Sequence, residues 1–282
     1  MSATAAYTRP QTVDEALAAL AAENSKILAG GTDFYPSLGD NIVREPVVDI
    51  SALAELRGIT RDGNRVRIGG LTTWTDVIHA DLPPCFDALK SAAREVGSVQ
   101  IQNRGTVAGN LCNASPAADG VPPLLILEAE VELVSHAARR QMPLYEFLVG
   151  NRETKRQPNE LLTAILIPNA PVNASSAFLK LGARRYLVIS ISMVAAALTF
   201  GDDDRVSDTR LAVGSCSAVA RRLPQLERDL LGTHREELTR RVKAAQLADL
   251  SPIDDVRATA AYRIDATAHL IQRALAQCGG QR

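Results

Sequence analysis

A soluble fold of mixed helices and strands in two or three compact units is what this 282-residue sequence predicts, and three observations predict it. Stretches of helical spacing and stretches of period-two alternation occur in turn along the chain. Glycine-rich runs interrupt them at Gly30-Gly31 and between Arg104 and Asp119. Asn169-Ala170-Pro171 then separates a strand-rich C-terminal region with a helical tail from what precedes it.

The first unit, residues 1–55, opens with a helix over Val13–Ala22. Thr12 is its N-cap, and Glu15 sits three residues on in a capping-box arrangement. A strand over Lys26–Ala29 runs into Gly30-Gly31-Thr32-Asp33, followed by a helix-like Phe34–Leu38 and a strand over Pro46–Ile50. The second unit, 56–171, begins with Arg65–Gly69, whose alternation fits a half-buried strand, and Thr72 or Thr73 can cap the next helix. Phe86, Leu89, Ala92, Ala93 and Val96 recur at helical spacing, with Gly97 placed to stop that helix. Glu130–Val134 and Leu161–Ile167 read as strands, the latter ended by Pro168. In the third unit, 172–282, strands are expected over Ala177–Leu181, Val188–Phe200 and Arg210–Val213. A turn at Gly201-Asp202-Asp203-Asp204 and a helix over Asp254–Cys278 complete it.

Composition removes several functional classes. Lys and Arg total 31 against 32 Asp and Glu, a net charge of -1, which gives no basic surface for nucleic acid. The longest apolar run, Leu187–Phe200, falls short of the ~20 residues of a spanning helix and is broken by Ser190, Ser192 and Thr199. The N-terminus lacks a basic region ahead of its apolar residues, so no signal peptide and a cytoplasmic location are expected. Cys85, Cys112, Cys216 and Cys278 are far apart and lack the spacing of a zinc or iron–sulfur site, and His79, His136, His234 and His269 are equally scattered. No metal ligands and no catalytic residues are assigned.

Two stretches carry binding chemistry. Ile27-Leu28-Ala29-Gly30-Gly31-Thr32-Asp33-Phe34 places a strand end, two glycines and a helix start in succession. Glycines let the backbone approach a diphosphate, and successive N–H groups form an anion site. On composition alone an ordinary Gly-Gly turn is the simpler account. The spacing matches neither Gly-x-Gly-x-x-Gly nor the Walker sequence, which removes the two commonest nucleotide cradles. The second stretch, Gln102 to Asp119, is rich in small and short polar residues. Thr106, Asn110, Asn113 and Ser115 can bond phosphate or ribose oxygens, and Asp119 can accept from a ribose hydroxyl. A long loop held by its own Asx and Ser/Thr turns explains it equally well.

Taken together and in this order, the two stretches resemble those of the FAD-binding subunits of molybdenum hydroxylases, the family that includes the carbon monoxide dehydrogenase medium subunit and the xanthine dehydrogenase flavin domain. The likeness extends from Tyr7-Thr8-Arg9-Pro10 through Leu161-Leu162 and Lys180 to Arg184-Arg185. It implies an FAD-binding fold of the vanillyl-alcohol oxidase type, two α+β subdomains enclosing FAD, plus a C-terminal α+β domain with an antiparallel sheet. It further implies that Ile27 to Phe34 cradle the FAD diphosphate and that Thr106, Gly109, Asn110, Ser115, Asp119, Leu162 and Lys180 contact the cofactor. Val188 stands where many relatives carry an acidic residue, so contacts at the isoalloxazine edge are expected to differ, with Tyr186 a candidate to pack there. By the same resemblance the chain carries FAD alone. A small subunit with two 2Fe-2S clusters and a large molybdopterin subunit complete a dimer of heterotrimers, and electrons leave the flavin for NAD or another acceptor. Two alternatives remain: a stand-alone vanillyl-alcohol-type flavoprotein oxidase, which often links its flavin covalently, and a cofactor-free assembly protein of the same fold. The loop from Gly30 to Phe34 has no histidine or cysteine for such a link.

Overall fold

The computed structural model of the protein describes residues 6–280. Tyr7–Thr8 (β1), Lys26–Leu28 (β2) and Val47–Asp49 (β3) form a three-stranded parallel sheet in the order β1-β3-β2. Between β1 and β2 lies the helix Val13–Ala22 (α1), which buries Ala16, Leu17 and Leu20 against Val48, Ile50 and Leu53. Thr12 caps it, its hydroxyl accepting from the Glu15 amide at 3.2 Å. The Glu15 carboxylate reaches past the cap to the Gln11 amide at 2.8 Å, so the expected capping box is displaced by one residue. The short helix Phe34–Leu38 (α2) follows the glycine pair.

A five-stranded antiparallel sheet comes next, built from Ile59–Asp62 (β4), Arg65–Gly69 (β5), Glu130–Val134 (β6), Arg139–Pro143 (β7) and Leu161–Ile167 (β10), in the order β4-β5-β10-β6-β7. A small hairpin, Leu148–Gly150 (β8) with Glu153–Thr154 (β9), precedes its last strand. The helices of this region are Trp74–His79 (α3), Asp87–Glu95 (α4), Val99–Gln102 (α5), Val107–Asn113 (α6), Val121–Ile126 (α7) and Leu144–Phe147 (α8). Thr73 caps α3 in a full capping box with Asp76. Gly97, at φ 55°, follows α4 in the left-handed region that a side chain would resist.

The third sheet is antiparallel, β11-β12-β13-β14, from Ser175–Leu181 (β11), Ser192–Phe200 (β12), Val206–Gly214 (β13) and Arg221–Arg222 (β14). Helices Pro224–Leu230 (α9), Leu238–Arg241 (α10) and Ala260–Cys278 (α11) accompany it. Strand β12 is buried on both faces. Met193, Ala195 and Ala197 join the core of the second sheet and its helices, while Val194, Ala196 and Leu198 pack with Leu270, Ile271 and Ala274 of α11. Alternation explains why so apolar a run is a strand covered on two sides.

Several boundaries differ from expectation; the strand expected over Arg210–Val213, for one, already begins at Val206. The strand expected from Val188 starts only at Ser192, because a left-handed Leu187 (φ 52°), whose carbonyl accepts from the Arg184 guanidinium, turns the chain and leaves Leu187 and Ile189 about half exposed. The final helix starts at Ala260 and not near Asp254. Asp255 accepts from the amides of Arg257 and Ala258 in a tight turn, and Thr259 provides the cap. Among the described residues no helix is long and apolar enough to cross a membrane, and no group of three or more His, Cys, Asp or Glu side chains could hold a metal ion.

Candidate functional site

The two glycine-bearing stretches meet. Gly30 and Arg104 approach so closely that a Cβ on Gly30 would lie 1.9 Å from the Arg104 carbonyl oxygen, so only glycine lets the first loop rest on the second. The second loop is fixed in turn: Trp74 donates its amide to the Gly105 carbonyl at 3.1 Å, and Val107 to that of Thr72 at 3.0 Å. Thr106 is the N-cap of α6, its hydroxyl accepting from the Gly109 amide at 3.0 Å. The stretch expected as a wrapping loop is therefore partly helical. Short polar residues that favour caps and turns hid a helix whose apolar side, Val107, Ala108 and Leu111, is buried.

Between these stretches lies a cleft of about 820 Å³, well within the size range of cofactor sites. Of the residues singled out in the sequence, Ile27, Ala29, Gly30, Gly31, Thr32, Asp33, Phe34, Thr106, Gly109, Asn110 and Leu162 line it. Leu28 alternates away into the core at 5% exposure. Ser115, Asp119 and Lys180 lie off this wall. The Ser115 hydroxyl accepts from the Ala117 amide at 3.2 Å, while Lys180 and Asp119 form a buried ion pair at 2.9 Å joined by the Ser190 hydroxyl at 3.4 Å. Burial pushes the Asp119 carboxyl up to about 6 despite the opposing pull of Lys180. Lys180 is thus no solvated edge lysine. Tyr186 is exposed with the Arg185 guanidinium over its ring at 5.2 Å, and Val188 packs back towards Gly182.

Asn110 and Asn113 belong to the wall of the cleft, and the side-chain oxygen of each is buried and accepts no hydrogen bond among the described residues, that of Asn110 lying towards Gly120. Backbone near Gly31, Gly105 and Gly109 supplies close-approach surface, and Gly31 sits at φ 77°. This set of glycine backbone and short polar side chains along one cleft fits a dinucleotide.

Several lining residues carried no signal in the sequence. Trp74 is buried against Gly120 and Gly105, and Arg152, on the β8–β9 hairpin in the left-handed region (φ 59°), makes a two-pronged ion pair with Asp33 at 3.2 Å for each contact. Arg156 is occupied by the carbonyls of Gln157, Pro158 and Glu160, and Lys26 by Glu45 at 3.2 Å. Cys112 also faces the cleft, but burial raises its thiol to about 11, so it is not a thiolate near neutrality. No histidine lines the cleft among the described residues.

Comparison with known proteins places this geometry. A family described as the FAD binding domain in molybdopterin dehydrogenase matches residues 2–170, and one described as the CO dehydrogenase flavoprotein C-terminal domain matches residues 177–278. The putative xanthine dehydrogenase FAD-binding subunit of Escherichia coli (strain K12) is 33% identical over 98% of both chains. The nicotine 6-hydroxylase medium subunit of Paenarthrobacter nicotinovorans is 30% identical over 98% of this chain and 97% of its own. A chain of the reconstituted CO dehydrogenase from Oligotropha carboxidovorans superimposes with a TM-score of 0.91 at 25% identity, covering both chains completely.

Proposed function

The chain belongs to the family of FAD-binding subunits of molybdenum-containing dehydrogenases, and from that premise we propose that it holds FAD in the cleft between its two glycine loops and passes electrons within a three-subunit complex. The observation that supports the reading is a cleft of about 820 Å³ walled by both glycine-bearing stretches, which meet where only glycine at position 30 fits against the Arg104 backbone. Bound FAD would supply the ability to accept electrons singly and release them as a pair.

The residues of the chain bind and orient. The loop from Ile27 to Phe34, without Leu28, offers backbone to the diphosphate. Thr106 keeps the α6 turn in place and retains a hydroxyl proton to donate. Gly109 allows close approach, and Asn110 accepts from the cofactor. Leu162 provides apolar contact from β10. Asp119, Lys180 and Ser115 complete the set by resemblance. By that resemblance Ser115 and Asp119 lie near the diphosphate and adenosine portions, and their place behind the wall suits the Lys180–Asp119 pair and the Ser115 turn to fixing charge and backbone there.

The wider assembly belongs to the same proposal: a vanillyl-alcohol-oxidase-type arrangement of units 1–55, 56–171 and 172–282, a cytoplasmic location, a small partner with 2Fe-2S clusters, a large molybdopterin partner, and NAD or another acceptor. The separate three-, five- and four-stranded sheets support the division, although helices α4 and α7 of the second unit also pack against the third sheet. Against the stand-alone oxidase, the cleft lining holds no histidine among the described residues for the covalent link such proteins often make. Purifying the chain with its neighbouring gene products tests the proposal. Stoichiometric FAD on this chain, with iron–sulfur and molybdenum on partners, is the expected result. A chain that stays colourless after incubation with FAD would sink it.

A further inference from the structure

A second concavity, of about 250 Å³, shares Ala29, Gly30 and Thr106 with the lining of the first cleft and is otherwise walled by residues the first does not reach. Arg9, Arg57 and Arg104 line it together with Ser51, Asn103 and Thr73, and among the described residues no carboxylate does. Arg9 has partial compensation from Asp49 at 3.7 Å, but that carboxylate is already engaged by the Tyr7 hydroxyl and the Ser51 amide. Arg57 donates to the Ser51 carbonyl at 3.0 Å and forms no ion pair, and the Arg104 side chain forms neither ion pair nor hydrogen bond among the described residues. Thr73 and Thr106, both buried, use their hydroxyl oxygens as helix caps, which leaves their protons available. The Arg9 and Arg57 guanidinium groups converge on Ser51, donating to its hydroxyl at 3.4 Å and to its carbonyl at 3.0 Å, and the planar guanidinium fork matches oxyanions.

We propose that this hollow is a second, separate binding site, for a compact oxyanion: a phosphate or a carboxylate group, either free or carried by an acidic side chain of a partner subunit. Its occupant meets Ala29, Gly30 and Thr106, which also line the flavin cleft. The site rests on the flavin reading only for the identity of its neighbour, and can be tested apart from it.

Inorganic phosphate is titrated calorimetrically into the flavin-loaded full chain and into Arg57→Gln and Arg104→Gln, with flavin absorbance recorded for each protein. Saturable binding at one site in the parent, weakened about tenfold or more by each substitution while flavin content holds, is the expected result. Repeating the titration on the copurified complex separates the sources. Retained binding means a free anion, and lost binding, together with weaker assembly of the two variants, means a partner carboxylate. No saturable binding, binding unchanged in both variants, or phosphate that binds only the flavin-free chain and is displaced by FAD would overturn the proposal. The last outcome would put the anion in the flavin cleft. Loss of flavin from the parent chain would count against the cofactor reading and not against this one.

Discussion

Gly30 and Gly31 are adjacent yet serve different needs. A methyl at Gly30 collides with the Arg104 backbone, which no rotamer can relieve, whereas one at Gly31 meets the Tyr35 ring at 2.9 Å and a left-handed backbone. Gly30→Ala should therefore separate the two loops, cost about 2–3 kcal/mol and abolish flavin retention. Gly31→Ala should cost about 1–2 kcal/mol and keep part of the flavin, since the ring can turn aside. Unfolding midpoints and the flavin-to-protein absorbance ratio check both, and equal loss in the two variants would contradict the distinction. The motif was legible as glycine-rich, but its reason was not. The sequence suggests that Gly31 spares room for a ligand, and the structure shows that Gly30 spares room for Arg104. Asp119 is the other informative single residue. Its folded carboxyl sits near 6, above the ordinary 3.8, so between those values the folded state holds a proton that the unfolded state has released. Its contribution is then fully present below pH 3.8 and declines as pH rises through 6. Asp119→Asn should remove that decline. Denaturant melts of both proteins from pH 4 to 7 test it, and parallel pH profiles would refute the assignment.

Secondary elements with strong local signals stand where the sequence puts them: α1 between its threonine cap and Ala22, and β5, β6 and β10 by their apolar pattern. The elements that escaped reading are short ones whose stability comes from tertiary packing. Helix α7, Val121–Ile126, has two prolines in its first turn and is buried throughout, and α6 is disguised by its polar and small residues. The cleft was half legible for the same reason. The loops announce themselves by glycine, but Arg152 and Trp74 reach the site from distant elements that nothing in their local sequence connects to it. At this scale Thr106→Val should lose the α6 cap, lower stability by about 1 kcal/mol and weaken FAD binding together with it. Titrating the flavin-free variant with FAD measures the second effect. Arg263 of α11 acts across elements too. Its buried guanidinium reaches the carbonyls of Ile191 and Ser215 and pairs with Asp255 at 2.8 Å. Arg263→Met should cost about 3 kcal/mol and speed amide exchange across 182–191, the loop that leads into β12.

Across the whole molecule the sharing of β12 between two cores decides how the parts depend on one another. Met193, Ala195 and Ala197 complete the apolar cluster containing Leu89, Leu124 and Ile165, so the C-terminal sheet is a wall of the second unit and not an appendage. A truncation ending at Ala170 would uncover that face. It is expected to yield a loosely packed or aggregating fragment, while the full chain melts in one transition. Calorimetry of the full chain and dye binding by the fragment decide the matter, and a fragment with a sharp cooperative melt would show the units to be independent.

The clasp between Asp33 and Arg152 bears on how fast the site exchanges its contents. It joins the two walls by charge alone, and both side chains are about half exposed at 46% and 57%. Such a pair is worth at most about 1 kcal/mol and is screened by salt. Cofactor release is thus expected to be a gated escape whose rate climbs with ionic strength, and Arg152→Ala should show the faster rate at every salt concentration, with little of the salt dependence left.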